Sequence, residues 1–193
     1  MEKTYLNVAQ AYLGESQARN RYTFYASTAK KEGYEQIAAI FQETADQERE
    51  HGSNLFKWIV EMKKKPENVG DLVLDGVGVP NVRATTEENL QAAIAGELHE
   101  ENEMYPQFAD IADSEGYPEY ARRMRAIAKA EGGHATRYQK LLKLVQSGFF
   151  DRETDKVWIC RECGYIHVGK TPPKICPSCE HAQGFYEVAR EEY

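Results

Sequence analysis

Four stretches of the chain repeat apolar or aromatic residues at helical spacing, and each stripe is interrupted by glutamate or by glutamate and histidine. Tyr5, Val8, Tyr12, Tyr22 and Ala26 mark a first helix over residues 3 to 31, with Glu15 as its one polar member. After the Gly33-Tyr34 break, Ile37, Ile40, Phe41, Ala45, Leu55, Ile59 and Met62 mark a second, with Glu48 and His51 mid-stripe, ending in Lys63-Lys64-Lys65 before Pro66. Residues 66 to 86 carry glycines, Pro80 and no helical period, which predicts a long crossover joining parallel neighbours. Thr85-x-x-Glu88 is a capping box opening a third helix through Leu90, Ile94, Met104, Phe108 and Ile111, interrupted by Glu97. A fourth starts near Pro118 and runs through Tyr120, Met124, Ile127, Tyr138, Leu142 and Val145 to Gly148, with Glu131 and His134 inside it.

The polar intruders form one pattern written twice. Glu15, Glu48 and His51 are matched by Glu97, Glu131 and His134, with 33 residues from glutamate to glutamate in the first copy and 34 in the second. The predicted fold is therefore mostly α: a pseudo-twofold four-helix bundle of the ferritin-like type, two hairpins joined by a crossover. Four ionised carboxylates in a bundle interior are untenable without compensating positive charge, and two metal ions supply it. A Glu from each of two helices and a Glu-x-x-His from each of the others is the ligand set of carboxylate-bridged di-iron and di-manganese bundles. Carboxylate oxygens with one imidazole per metal suit iron or manganese better than zinc.

Glu100, one turn past Glu97, is either a further ligand or part of a solvated face beside Glu101 and Glu103. Tyr22 and Tyr105 lie seven and eight residues past Glu15 and Glu97, about two turns, where a phenol either supports a ligand carboxylate or packs in the core. Gly14, Gly96, Gly132 and Gly133 beside the ligands are expected to let backbone or substrate approach the metals closely. His99 is expected at the surface.

The last segment changes character. Cys160-x-x-Cys163 and Cys176-x-x-Cys179, separated by twelve residues, are spaced for a tetrahedral four-thiolate metal site, which zinc and iron both satisfy. Turn glycines, prolines and Val157-Trp158-Ile159 predict short strands and knuckles around it. The expected division is a bundle over 1–148, a linker over 149–154 and a small β/knuckle domain over 155–193. Two such units fit a chain of 193 residues with 41% hydrophobic composition. A formal charge of -7 and no basic stretch beyond the three lysines argue against nucleic-acid or acidic-membrane partners. No leader and no run of 18 apolar residues are visible, so a cytoplasmic protein is expected.

Gly14-Glu15-Ser16-Gln17-Ala18-Arg19, Glu48-Arg49-Glu50-His51, Gly96-Glu97 and Glu131-Gly132-Gly133-His134, followed by a segment that resembles rubredoxin, make the whole chain resemble the rubrerythrin family. That resemblance implies a non-haem di-iron peroxidase of anaerobic or microaerophilic cells. It would reduce hydrogen peroxide to water with electrons drawn from a reduced nicotinamide through a reductase or rubredoxin. It implies two irons in the bundle and one iron on Cys160, Cys163, Cys176 and Cys179. Glu48 and Glu131 would bridge, Glu15 would be terminal on one iron, and Glu97 with His134 would complete the other. Glu100 and His51 would be alternatives on the first iron, exchanging with its oxidation state, and Tyr22 and Tyr105 would match supporting tyrosines.

About 21 Å of helix separates His134 from Gly148. A head-to-tail homodimer is therefore expected, the tail of one chain serving the bundle of the other, and the crossover could let hairpins exchange between protomers. The rival functions are ferroxidase or oxygen reduction, and iron storage.

Overall fold

The computed structural model describes residues 1–189, so the last four residues of the tail domain expected over 155–193 lie outside the described residues. Helix α1 spans Lys3–Lys31 and α2 Glu35–Met62, joined by a tight turn at Gly33. The lysine run follows α2 immediately, and a crossover holding one short 3₁₀ turn, Pro66–Asn68, leads to α3, Thr86–His99. Thr85 and Glu88 form the predicted capping box, satisfying two backbone donors that the helix start would leave unpaired.

The third helix is not continuous as expected. It passes through a π-helical turn, Glu100–Met104, before resuming as α4, Tyr105–Ser114. The cause is in the sequence. Pro106 has no N–H to give, and its ring would collide with the carbonyl four residues back in a regular helix. The backbone widens instead, and the Tyr105 N–H bonds the Glu100 carbonyl five residues back. Helix α5, Pro118–Ser147, begins with proline at its first turn and ends at Gly148.

Helix directions follow from contacts across the bundle. Tyr22 meets Glu97 and Tyr105 meets Glu15, so α1 runs antiparallel to α3 and α4. Arg137 pairs with Glu43 and Arg123 reaches Asn54, so α2 and α5 are antiparallel as well. Helices α2 and α3 are thus parallel, as a crossover requires. The apolar core lies in two clusters. One gathers Tyr22, Tyr25, Ile37, Phe41, Leu90 and Tyr138; the other gathers Tyr5, Leu55, Trp58, Met62, Tyr105, Phe108 and Met124. Each fully buried large side chain contributes about 1.5–3 kcal/mol. The buried glutamates belong to neither cluster: apolar packing brackets a polar layer.

Strands β1, Lys156–Cys160, β2, Ile166–Gly169, and β3, Tyr186–Val188, form an antiparallel sheet in the order β2-β1-β3. Trp158 and Tyr186 are buried between this sheet and the cysteine knuckles. The module rests on the turn between α1 and α2. Gly184 lies so close to the Gly33 carbonyl that a Cβ there would have no room, and Tyr34, Phe149 and Phe150 pack between the modules. Along α2 from Glu35 to Glu48 is thirteen residues, about 20 Å. The four cysteines therefore sit at the far end of their own bundle from its polar layer.

Each knuckle needs a residue in the left-handed conformation after its second cysteine. Gly164 supplies it in the first (φ 77°), while Glu180 is forced into it in the second (φ 61°). A side chain there costs about 1–2 kcal/mol. Because Glu180 is exposed and loses no packing, Glu180→Gly should stabilise the module by about 1 kcal/mol. The check is the temperature at which the thiolate-to-metal absorption is lost; an unchanged or lower midpoint would refute the strain.

Candidate metal centre

The six predicted bundle residues come together. Their donor atoms form two overlapping groups, Glu15, Glu48, His51 and Glu131, and Glu48, Glu97, Glu131 and His134, each with all atoms within 4.8 Å of one another. Helical spacing is the reason: residues three apart share a face, so each Glu-x-x-His pair points inward together.

Glu48 and Glu131 belong to both groups. His51 Nδ1 lies 2.9 Å from Glu48 Oε2 and 3.0 Å from Glu131 Oε1; His134 Nδ1 lies 3.1 Å from Glu48 Oε1 and 2.8 Å from Glu131 Oε2. Each central carboxylate thus turns one oxygen to each histidine. Glu15 Oε1 stands 3.8 Å from His51 and Glu97 Oε2 stands 3.4 Å from His134, completing the two ends.

The donor set fits two cations. Glu15 Oε2, Glu48 Oε1, Glu97 Oε2, both oxygens of Glu131 and His134 Nδ1 are buried without an aligned hydrogen-bond partner. Such a convergence of lone pairs, with four carboxylates fully out of water, is costly until something positive occupies its middle. Protons are the alternative. Burial and then the neighbouring carboxylates push Glu15 well above the ordinary range, and burial raises Glu97 to about 8. Burial opposes a charge on the histidines, but their close carboxylates outweigh it and raise His51 to about 10 and His134 to about 12. Burial likewise acts against Glu131, yet contact with His134 and His51 holds it below the usual range.

Tyr22 donates to Glu97 Oε1 at 2.5 Å, and Tyr105 donates to Glu15 Oε1. Each phenol therefore supports the glutamate of the other hairpin, not of its own. The π turn absorbs the extra residue that makes one spacing seven and the other eight, so both phenols arrive in equivalent places. His134 Nε2 lies 2.9 Å from Gln47 Oε1, which fixes the ring from behind. Gln47 has no counterpart in the repeat and nothing in the hydrophobic pattern singles it out.

Glu100 stands beside the two groups but in neither. Its carboxylate lies against Gly14, in a cleft of about 390 Å³ between α1, α3 and crossover residues Val77 to Pro80. Burial, followed by Glu97 and Glu131, raises its pKa well above the ordinary value. His51 opens to a different cleft, between α2 and α5. The glycines do less at the metals than expected. Gly132 makes room for the Glu101 side chain, Gly96 faces the Arg21 guanidinium, and Gly133 faces open space; Gly14, against Glu100, comes nearest to the expected role. His99 is exposed and pairs with Glu103.

In the tail, the sulfurs of Cys160 and Cys179 and those of Cys163 and Cys176 are 3.7 Å apart. A disulfide would bring them to about 2.05 Å. Metal–sulfur bonds of about 2.3 Å in a tetrahedron separate sulfurs by about 3.8 Å. The cysteines have the spacing of a four-thiolate metal site, and all four sulfurs lie within 4.8 Å of one another.

Fold and donor atoms together define a ferritin-like bundle of the carboxylate-bridged di-metal class, with a four-thiolate module appended. Comparison with known proteins gives the same answer. The Rubrerythrin family model matches residues 7–142, and the model for the rubrerythrin rubredoxin-like domain matches residues 158–187. The chain belongs to the rubrerythrin family. A Methanocaldococcus jannaschii protein is 53% identical, covering 100% of this chain and 96% of its own. Rubrerythrin of Nitratidesulfovibrio vulgaris is 44% identical over 96% of this chain and 94% of its own. Among solved structures, fully reduced, all-ferrous nigerythrin superposes with a TM-score of 0.64 at 30% identity, covering 98% of this chain and 88% of that one. The protein is an oxidoreductase of oxidative-stress defence with a di-iron site in its bundle and a four-cysteine iron site in its tail. Among the described residues no helix is long and apolar enough to cross a membrane.

Proposed function

We propose that this chain is a peroxidase that reduces hydrogen peroxide to water, with electrons entering through the four-cysteine iron and supplied from a reduced nicotinamide by a reductase or rubredoxin. The observation that carries the reading is the contrast between His51, whose ring nitrogen lies within the donor groups, and Glu100, whose carboxylate stands just outside them against Gly14. In this reading Glu48 and Glu131 would hold both irons, Glu15 would hold one and Glu97 with His134 the other. His51 and Glu100 would be alternatives on the first. A ferrous ion tolerates neutral imidazole, while a ferric ion favours an anionic oxygen.

Two irons supply two electrons together, which is what cleavage of peroxide to water requires. The chain's own residues do the rest. Tyr22 and Tyr105 hold Glu97 and Glu15 in place from behind, and Gln47 orients His134. With no metal bound, burial and the surrounding carboxylates raise the Glu100 carboxyl well above the ordinary range, so it can carry a proton there. Joining the metal ligands as an anion would release that proton from its carboxyl oxygen, and water formation would consume it.

The bundle, 1–148, and the tail, 155–193, divide the work on either side of the linker 149–154. About 20 Å of helix lies between the tail's perch and the polar layer, so electrons pass from the tail of a second copy in a head-to-tail homodimer, with hairpins exchanged if the crossover spans protomers. A monomer in sedimentation that retained full turnover would sink this arrangement.

Anaerobic reduction followed by stoichiometric peroxide or oxygen, with absorbance of both centres followed in time, tests the activity. Fast reoxidation by peroxide and slow reoxidation by oxygen are expected; the reverse order would establish a ferroxidase or oxygen reductase instead.

A further inference from the structure

Seven residues past His51 on α2, two turns along the same face, Trp58 lines the cleft that His51 opens to. The rise between them is about 10 Å. The Trp58 indole stacks on Tyr120 at 4.8 Å and 18° between planes, and Tyr120 stacks on Tyr117 at 5.6 Å and 4°. Aromatic packing on the other side of the centre is different. Tyr22, Tyr25, Phe41 and Tyr138 meet at tilts of 30° to 70°, as core rings commonly do.

Indole and phenol are among the side chains most readily oxidised by one electron, and a phenol yields its electron cheaply only when its proton can leave. Both phenols have an acceptor in place. Tyr120 donates to Glu61 Oε2 at 3.0 Å, and Tyr117 donates to Glu2 at 2.6 Å. Cations sit on the flanking rings: the Arg123 guanidinium is 4.8 Å over Trp58, and Lys65 Nζ is 4.1 Å over Tyr117 and also donates to its oxygen at 2.5 Å. A cation on a ring face disfavours further positive charge there. Trp58 is thus a place for a hole to pass through, Tyr117 is the harder phenol, and Tyr120 is where the hole comes to rest.

We propose that Trp58 and Tyr120 form a one-electron relay that supplies a missing electron when peroxide meets a centre holding a single ferrous ion. The inference rests on the peroxidase reading above. With one electron available, peroxide would be cleaved to hydroxide and hydroxyl radical. Of the two electrons that peroxide takes, one would come from the ferrous ion the centre holds, and Tyr120 gives the second through Trp58. The phenol proton passes to Glu61, two protons come from solvent, and the products are two waters and a neutral tyrosyl radical. Reductant later returns Tyr120 to the phenol.

The test uses the iron-loaded full chain, reduced anaerobically by one electron per bundle centre, given one equivalent of hydrogen peroxide and frozen for electron paramagnetic resonance. An organic radical is expected that narrows with ring-deuterated tyrosine, disappears in Tyr120→Phe and survives in Tyr117→Phe. Spin-trapped hydroxyl radical should rise in Tyr120→Phe. No organic radical in the wild type, or one unaffected by Tyr120→Phe, overturns the relay. Fully reduced protein is the control: wild type and Tyr120→Phe should consume peroxide equally. If fully reduced wild type consumes none, the peroxidase reading fails and takes the relay with it; normal consumption without a radical removes the relay alone.

Discussion

Replacing His51 by alanine is expected to leave iron in the bundle yet slow peroxide turnover by about 10- to 100-fold, the usual scale for changes around a metal's ligands. Iron should remain because Glu15, Glu48 and Glu131 still surround that end of the centre, and Glu97 and His134 hold the other untouched. Turnover should fall because the reduced state loses its neutral ligand, and Glu100 is left with no partner to exchange with. Metal analysis and peroxide consumption under saturating reductant check the two halves separately. Unchanged turnover would remove ligand exchange from the mechanism, and loss of iron would make His51 a retention ligand first.

The second large effect is on stability, and its sign depends on whether metal is bound. A group whose folded pKa is raised contributes stability that is complete below its unfolded pKa and drains away as pH rises through the folded value. In the metal-free protein His51 does so between 6.5 and about 10. His134 follows toward about 12, and Glu97 drains earlier, from 4.5 through about 8. All three act in one direction. Metal-free protein should therefore lose stability steadily from mildly acidic to alkaline pH. Iron requires neutral imidazoles and ionised carboxylates, so metal-bound protein should gain relative to it over the same range. Denaturant melts of both forms across that range should diverge with pH, and parallel curves would mean that the buried histidines do not titrate as their surroundings dictate.

Much of this centre was legible in the sequence because its residues break a hydrophobic rhythm. A glutamate on an apolar stripe is conspicuous, and Glu15 and Glu97 each interrupt one, while Glu48 with His51 and Glu131 with His134 interrupt the other two. The cysteines were legible for the same reason, being placed by local spacing. What escaped was set by tertiary contact. Gln47 supports His134 from the other hairpin, and no periodicity marks it. The pairing of Tyr22 with Glu97 and Tyr105 with Glu15 crosses the bundle, whereas sequence distance associates each tyrosine with its own hairpin. Glu100 is undecided by pattern, since a helix face rich in Glu101 and Glu103 is ordinarily solvated; only the cleft against Gly14 shows it half-buried beside the site. The expected role of the glycines failed because Gly132 faces Glu101, a partner that the widened backbone turn brings over α5. Pro106 and the mismatch of 33 against 34 residues were the available signs of that turn.

A π turn is what a helix makes of one residue too many. The two hairpins carry the same ligands and differ in length by one position between their glutamates, and that position falls where the turn is. The extra position is taken up inside the helix, so Glu97, Tyr105, Glu131 and His134 stay in registration with Glu15, Tyr22, Glu48 and His51. Glu100, with only Ala18 at the corresponding place in the first hairpin, begins the stretch where the two halves differ. One added residue thus sets two otherwise matching halves apart without displacing any of the paired side chains.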